Sequence, residues 1–340
     1  MRKVLLGFAL LVSLAGVLAG CGGSDEPKEV MTLRVLSAWD QNNTSVKSML
    51  NIYKPAIEEA TDGRVTLEYV AGPETVPIFE QVEPLKQGIF DMVLQTDGYN
   101  QINALAAALN LNLAPYSVAK ECGVVDFIDN RYQTLGGVKY FPQIHGFGNV
   151  LLLRSDVNVS DLTRLDGLTL RTYPTVDAWV KNRGAEPVAM SGGDAYTALD
   201  RGVVDGAIGG SIDFAENLSW NEVTEYIVMP ELGATVANFL INIDVWNSMG
   251  ADLQKKFEEG FAKASAEHFT YSAEQQKESL ERMKAEGLQV VELTAAQKKA
   301  WADAWFEATS QSTVISRDAV EGPKVVELAA CVKQKLESGS

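Results

Sequence analysis

Among the side chains of this 340-residue sequence that could do chemistry, Arg171 holds the most informative position. It ends the run Asp166-Gly167-Leu168-Thr169-Leu170-Arg171, in which Leu168 and Leu170 point one way and Thr169 and Arg171 the other. That alternation reads as a short strand closed by a guanidinium. In an open α/β sheet the carboxyl ends of strands face the ligand crevice. A guanidinium there is permanently charged and presents a planar fork of donors that matches a carboxylate, sulfonate or phosphate. The plainer alternative is a solvated arginine paired with a surface acid, and position alone favours that alternative.

Other reactive types are sparse. His268 falls on the stripe Leu253, Phe257, Phe261, Ala264, His268, Tyr271, whose steps of three and four define one helix face, so it is expected to be packed in a core. His145 precedes Gly146-Phe147-Gly148 with no nucleophile beside it in sequence, and no Gly-x-Ser-x-Gly elbow occurs. With two histidines and no close cysteine pair, neither a metal nor a cofactor is expected. No catalytic residue stands out, and Asp97 and Asp205 are unpaired acids, a weak basis for an enzyme.

Composition sets the frame. A hydrophobic share of 46% with 22% charged residues describes a globular chain long enough for two cores of ordinary size. Residues 1–20 stand apart: Arg2 and Lys3 precede an apolar run from Val4 to Val17 that is too short to span a bilayer, followed by Leu18-Ala19-Gly20-Cys21. This reads as a signal peptide, with Cys21 as the site of lipidation and residues 21–31 as a polar tether. Its removal takes away two of the 29 basic residues and no acid, which leaves 27 Lys+Arg against 45 Asp+Glu, a net charge of −18. Such a field argues against nucleic acid and against anionic lipid beyond the anchor. It also obliges any anionic ligand to be held by local donors, because a Debye length of about 8 Å screens the distant charge. Cys122 and Cys331 are the remaining thiols, and outside the cytoplasm they are expected to pair.

From Leu33 strand-like and helix-like runs alternate. Strands are expected at 33–38, 65–70 and 90–96, with helices at 45–60 and 76–87, the latter closed by Gly88 as a left-handed cap. This βαβαβ order implies a parallel, doubly wound sheet. Residues 98–132 look helical, and Val150 to Leu153 form an apolar strand that leads into a second domain. There the pattern restarts: strands at 168–171, 187–190 and 203–206, helices at 176–183 and 194–200, and a further strand at 239–245 that returns to the first domain. The longest helical run covers 251–287. The implied organisation is domain I from residues 32–148 with about 235–275, domain II from 149–234, and C-terminal helices over 276–340 packing across both.

Several segments together resemble the solute-binding proteins of tripartite ATP-independent periplasmic (TRAP) transporters, the DctP-like family. They are Thr61-Asp62-Gly63-Arg64-Val65, Gly88-Ile89-Phe90-Asp91-Met92, the run from Asp161-Leu162 to Arg171, Gly184-Ala185-Glu186-Pro187-Val188, Tyr196-Thr197-Ala198-Leu199, Gly202-Val203-Val204-Asp205-Gly206, and Ile241-Asn242 before Val245-Trp246. The resemblance implies a two-domain α/β clamshell that closes on a small organic anion, a carboxylate foremost. It further implies delivery to one small and one large membrane subunit driven by an ion gradient. In the family the arginine ending this strand grips the substrate carboxylate, and the matching position is Arg171. Charge-assisted hydrogen bonds contribute ~1.5 to 3 kcal/mol each, a large share of the roughly 8 kcal/mol of a micromolar complex.

The departures are informative. Gly209 stands where many carboxylate binders of the family place an asparagine, and Arg154 matches a second family arginine only if the spacing slips. A sialic acid ligand is therefore disfavoured, and a less polar, roomier pocket suited to a bulkier or aromatic acid is expected. Trp39 after the first strand, Thr96 and Asp97 at the end of the third, Tyr173 beside Arg171, Gly209 and Asn242 complete the candidate substrate-binding set. Trp179 and Trp220 are expected in the core, and Asp205 as a structural acid at its turn. The expected protein is a monomeric, lipid-anchored capture protein at the periplasm or outer face of the cell membrane. The binding protein of an ABC importer, or a ligand-presenting sensor lipoprotein, are the alternatives.

Overall fold

The computed structural model describes residues 30–100, 109, 111–316 and 318–338; the signal peptide, Cys21 and most of the tether lie outside the described residues. Among these described residues eleven strands form two sheets. The first has the order β2-β1-β3-β10-β4, from Val65–Ala71 (β2), Met31–Ser37 (β1), Met92–Gln95 (β3), Val236–Asn242 (β10) and Val138–Ile144 (β4). The second has the order β11-β9-β5-β8-β6-β7, from Gln289–Glu292 (β11), Tyr226–Leu232 (β9), Asn149–Leu153 (β5), Gly206–Ile208 (β8), Thr169–Thr172 (β6) and Glu186–Ala189 (β7). Helices cover both faces of each sheet, so the molecule is a two-domain α/β clamshell. The sheets are mixed rather than parallel: β1 runs parallel to β2 and β3, but β10 is antiparallel to β3 and β4. A strand that returns from the other lobe enters the sheet from the opposite end, which reverses its direction.

The chain crosses between the sheets more often than the expected two times. Residues 145–148 and 233–235 link β4 to β5 and β9 to β10, and they pair with each other: His145 N donates to the Thr235 carbonyl and Thr235 N to the Phe147 carbonyl, both at 3.1 Å. The helix Gly250–Ala285 crosses a third time. Its first half buries Leu253, Phe257, Phe261 and Ala264 in the core under the first sheet. Its second half brings Leu280 and Met283 to the core of the second, and the chain then forms β11. The helix Ala295–Ala308 places Trp301 and Trp305 against Trp179 on the second lobe. The helix Gly322–Ser338 returns to the first, where Cys331 is bonded to Cys122 across 209 residues with Cα atoms 5.9 Å apart.

Several sequence expectations shift. The helix expected at 76–87 is confined to Val82–Lys86, behind turns that contain Pro77, although Gly88 does adopt φ +73° as a cap. The run expected to be helical over 98–132 divides into Tyr116–Glu121 and Val124–Gly136 at Gly123, with φ +76°; residues 101–108 and 110 lie outside the described residues. The strand expected at 203–206 starts at Gly206 instead, because Val203 is exposed while Gly206-Ala207-Ile208 are buried. The strand expected at 239–245 runs from Val236 to Asn242 and stops where the Asn242 side chain accepts from Asp244 N at 2.9 Å and Val245 N at 3.2 Å, capping the helix Ile243–Ser248.

Two buried features of the first lobe lead to measurable consequences. At Gly146 an added Cβ would lie 2.2 Å from the Phe269 carbonyl of the long helix, with Gly146 N bonded to Ser272 Oγ at 2.8 Å. Backbone lies against backbone there, so Gly146→Ala is expected to cost about 1–3 kcal/mol, read as a lowered Tm with the ligand absent. Asp97 is 7% exposed and accepts from Tyr132 Oη at 2.5 Å, Asn238 Nδ2 at 2.7 Å and Tyr140 Oη at 3.3 Å. Burial nevertheless pushes its carboxyl up to about 7, against the lowering effect of the tyrosine hydroxyls. The folded state therefore holds this proton where the unfolded chain, with a carboxyl near 3.8, has released it. Stability from this group is full below pH ~4 and lost as pH rises towards ~7. Asp97→Asn should remove that dependence, so in denaturant melts from pH 4 to 7 the wild type should lose stability relative to the variant as pH rises.

Candidate functional site

The amino end of β10 and the carboxyl ends of β1, β3, β6 and β8 meet at one place, between the lobes. An inner cavity of about 70 Å³ lies there, and it adjoins an outer groove of about 650 Å³ that shares Trp39, Asn43, Tyr99 and Phe214 with it. Arg171 lines the inner cavity on β6, with its chain 2% exposed. Leu170, the next residue inward, is fully buried beneath the sheet, as the alternation required.

Arg171 is held by neutral groups. Its Nε and Nη2 donate to the Met190 carbonyl at 3.1 and 3.0 Å, and Nη1 donates to the Ile208 carbonyl at 3.4 Å. The guanidinium carbon sits 5.2 Å from the centroid of Trp220, whose own Nε1 donates to the Gly192 carbonyl at 3.2 Å. A guanidinium has five N–H donors, so two are left for the cavity. Among the described residues no carboxylate pairs with it. Burial works against its charge, with Tyr99, Tyr173 and Asp194 partly offsetting that effect.

The other candidates divide. Trp39, Thr96 and Tyr173 line the cavity with Arg171. Trp39 packs against Tyr99 with ring centroids 6.2 Å apart, and Thr96 Oγ1 donates to the Val236 carbonyl at 3.0 Å. Tyr173 Oη donates to Asn149 Oδ1 at 2.5 Å, and the Asn149 amide is oriented by the Leu232 and Ala234 carbonyls at 3.1 and 3.3 Å. Asp97 does not reach the cavity, because Tyr132, Tyr140 and Asn238 enclose it behind the sheet. Asn242 is the helix cap described above, and its Nδ2 donates to the Leu85 carbonyl at 2.9 Å, at the opposite end of β10. Gly209 has φ +107°, and a Cβ there would lie 2.2 Å from Tyr173 Cε1. The absent side chain therefore gives space to the tyrosine ring and not to the ligand, which corrects the expectation of a roomier pocket. Arg154, at the far end of β5, pairs with Asp156 at 3.6 Å. Asp205 accepts from Thr169 N at 2.7 Å and ties the start of β6 to β8.

Sequence reasoning did not select a polar set that the fold brings to the same cavity: Thr44, Ser45, His145 and Asp213. Asp213 lies in the first turn of the helix Ile212–Asn217, whose N-cap Ser211 accepts from Phe214 N at 3.2 Å. Its Oδ2 takes a short hydrogen bond from Thr44 Oγ1 across the cleft, and Oδ1 accepts from Gln276 Nε2 of the long helix at 2.6 Å. The Gly209-Gly210-Ser211-Ile212-Asp213 sequence, a turn and cap just after a strand, was the available signal. His145 Nδ1 meets His268 Nε2 at 3.0 Å, His268 Nδ1 meets Ser48 Oγ at 2.7 Å, and His145 Nε2 is 3.4 Å from Ser45 Oγ. Burial holds His145 down to about 4 and His268 well below its ordinary range, so both rings are neutral at neutral pH. The group behind His145 is a neutral ring and not a carboxylate, so the Ser45–His145 pair lacks the acid that orients a nucleophilic serine system. What this cavity can do is hold an anion at Arg171.

The sequence matches the DctP family, described as bacterial extracellular solute-binding protein family 7, over residues 153–313. It is 22% identical to a monocarboxylate 2-oxoacid-binding periplasmic protein of Nostoc sp., over 93% of this chain and 91% of that one. It is 27% identical to the C4-dicarboxylate-binding periplasmic protein DctP of Rhodobacter capsulatus, over 39% of this chain and 40% of that one. In fold it matches a TRAP periplasmic solute-binding protein of Desulfovibrio salexigens with bound orotic acid, with a TM-score of 0.75 at 20% identity, covering 89% of this chain and 99% of that one. A TRAP periplasmic solute-binding protein of Pseudoalteromonas atlantica with bound sodium and pyruvate matches with a TM-score of 0.72 at 18% identity, over 91% and 96% of the two chains. The sequence match over residues 153–313 contains the strand of Arg171, and the fold shared along nearly the whole chain agrees with it: the chain is similar to the DctP family, family 7 of the bacterial extracellular solute-binding proteins, in sequence over that stretch and in fold throughout.

Proposed function

We propose that this protein captures a small organic anion, a carboxylate, outside the cytoplasm and delivers it to the small and large membrane subunits of a TRAP transporter for uptake driven by an ion gradient. One observation carries the reading: a buried guanidinium at the cavity between the lobes has two free donors and no protein carboxylate among the described residues. Burying a charge without a counter-ion is costly, and a ligand that supplies the counter-ion removes the cost. The named relatives include binders of 2-oxoacids and C4-dicarboxylates, which supports the same ligand class. The TRAP matches favour this assignment over an ABC importer or a sensor, and a binding protein over an enzyme.

In this reading Arg171 anchors the carboxylate, while Trp39, Thr96 and Tyr173 contact the remainder of the ligand. Residues 32–148 with 235–275 form one moving lobe and 149–234 the other, with the helices after residue 276 bracing both. The protein acts as a monomer, held at the periplasm or the outer face of the cell membrane by lipid on Cys21. Cys21→Ser should then move the protein from the membrane fraction to the soluble fraction on cell fractionation; retention in the membrane fraction refutes the anchor. In a thermal-shift screen of the mature protein against pyruvate, lactate, succinate and orotate, at least one acid should raise Tm. Truncating a buried charged partner costs roughly 2–5 kcal/mol, so Arg171→Ala should weaken that acid by at least about 30-fold. Arg171→Lys should recover little, because the paired fork is lost. Undiminished shifts in both variants refute the role of Arg171.

A further inference from the structure

The cavity that holds Arg171 carries a second buried charge, of the opposite sign. Asp213 is 5% exposed, and its carboxylate is supported by the Thr44 hydroxyl and the Gln276 amide, both neutral. Among the described residues no cation pairs with it. Arg282 acts on Asp213 only at a distance, its guanidinium being engaged by Glu216 at 2.6 Å, and His145 beside the cavity is neutral. The hydrogen bonds alone do not account for an acid here, because a neutral asparagine oxygen would accept from the same hydroxyl or amide without the cost of burying charge. The charge calls for a partner that the protein does not supply. The same cavity is lined by the rings of Trp39, Tyr99, Phe147 and Phe214, and the electron-rich faces of aromatic rings attract a cation. Arg171 and Asp213 are thus two opposite charges on one cavity, neither with a counter-ion in contact among the described residues. A ligand with a second carboxylate would meet Asp213 with like charge, and a plain monocarboxylate would leave it unpaired.

We propose that the ligand is a small zwitterion, its carboxylate taken by Arg171 and an ammonium or substituted ammonium seated among the aromatic rings against Asp213. This narrows the proposed carboxylate ligand to one that also carries a cation, so that the molecule as a whole is neutral, and it rests on that reading for the role of Arg171. Asp213 then acts as the specificity-determining residue: it admits the aminated acid and penalises the plain one. Because its other contacts are Thr44 on the first lobe and Gln276 on the crossing helix, the ammonium binds where the two lobes already meet.

The test uses matched pairs of probes on the mature protein, by thermal shift and calorimetry: 4-aminobutanoate against butanoate and succinate, proline against cyclopentanecarboxylate, and glycine betaine against 3,3-dimethylbutanoate. Wild type should prefer at least one aminated member over its plain counterparts by about tenfold or more. Asp213→Asn should erase that preference and improve binding of the plain acid. Equal or better binding of the plain acids by wild type overturns the proposal, as does a preference that survives Asp213→Asn. The wild-type comparison decides the matter even if Asp213→Asn does not fold. Binding of plain acids alone, dependent on Arg171, would overturn the zwitterion and leave anion capture standing; no binding from either set counts against both.

Discussion

The constraint on which the site depends is a guanidinium kept in the protein interior without an acid beside it. Arg171 survives there because the Met190 and Ile208 carbonyls and the face of Trp220 each take part of its charge. Those supports come from three separate places: the end of β7, the end of β8, and the short helical turn Trp220–Glu222. The second sheet is therefore built so that three elements converge on one side chain. Asp205 contributes at the other end of the same strand, where its contact with Thr169 N sets the position of β6 against β8. Neutral supports hold the geometry of the fork and leave its charge available, which a structural ion pair would not do.

The titrating groups around this frame act in opposite directions. Asp97, raised by burial, stabilises the fold as pH falls from about 7 to about 4. The His145–His268 pair, held below the ordinary imidazole value of 6.5, contributes stability that is full above that pH and is lost as pH falls towards 4. The two effects oppose each other across the same interval, so acid need not shift the whole molecule strongly in either direction. They differ in place: Asp97 is sealed behind the first sheet, while His145 faces the cavity. Through most of that interval the folded protein keeps His145 neutral, so the wall of the site gains no charge there until pH approaches 4.

What could be read from the sequence follows from locality. The strand of Arg171, the Gly88 cap and the long helix are dictated by alternation, helical spacing or a single positive-φ residue, and these survive in the structure. Trp179 and Trp220 are buried as expected, but the contact of Trp220 with Arg171 joins residues 49 apart and leaves no local trace. Strands β4, β9 and β11 were not foreseen because their patterns are weak without their partners, and β11 is only half-buried. Asn242 had the right type for a ligand contact, yet a helix start two residues on claims its oxygen. Thr44, His145 and Asp213 come together only through the fold, so their shared cavity could not be found from spacing along the chain.

The long helix gives that cavity a mechanical setting. It is packed into the first core by Phe257 and Phe261, passes the crossing strands where Gly146 touches Phe269, and then reaches Asp213 through Gln276. Gln276 is fully committed there: its amide oxygen accepts from Ile212 N at 2.6 Å and Asp213 N at 3.2 Å, and its amide nitrogen donates to the Asp213 side chain. The amino end of the helix that carries Asp213 is thereby fastened to an element rooted in the opposite lobe. Thr44 makes the complementary contact from the helix after β1. Both contacts meet on the one carboxylate proposed to face the ligand's ammonium, so that carboxylate lies at the point where the first lobe and the crossing helix are already joined to it.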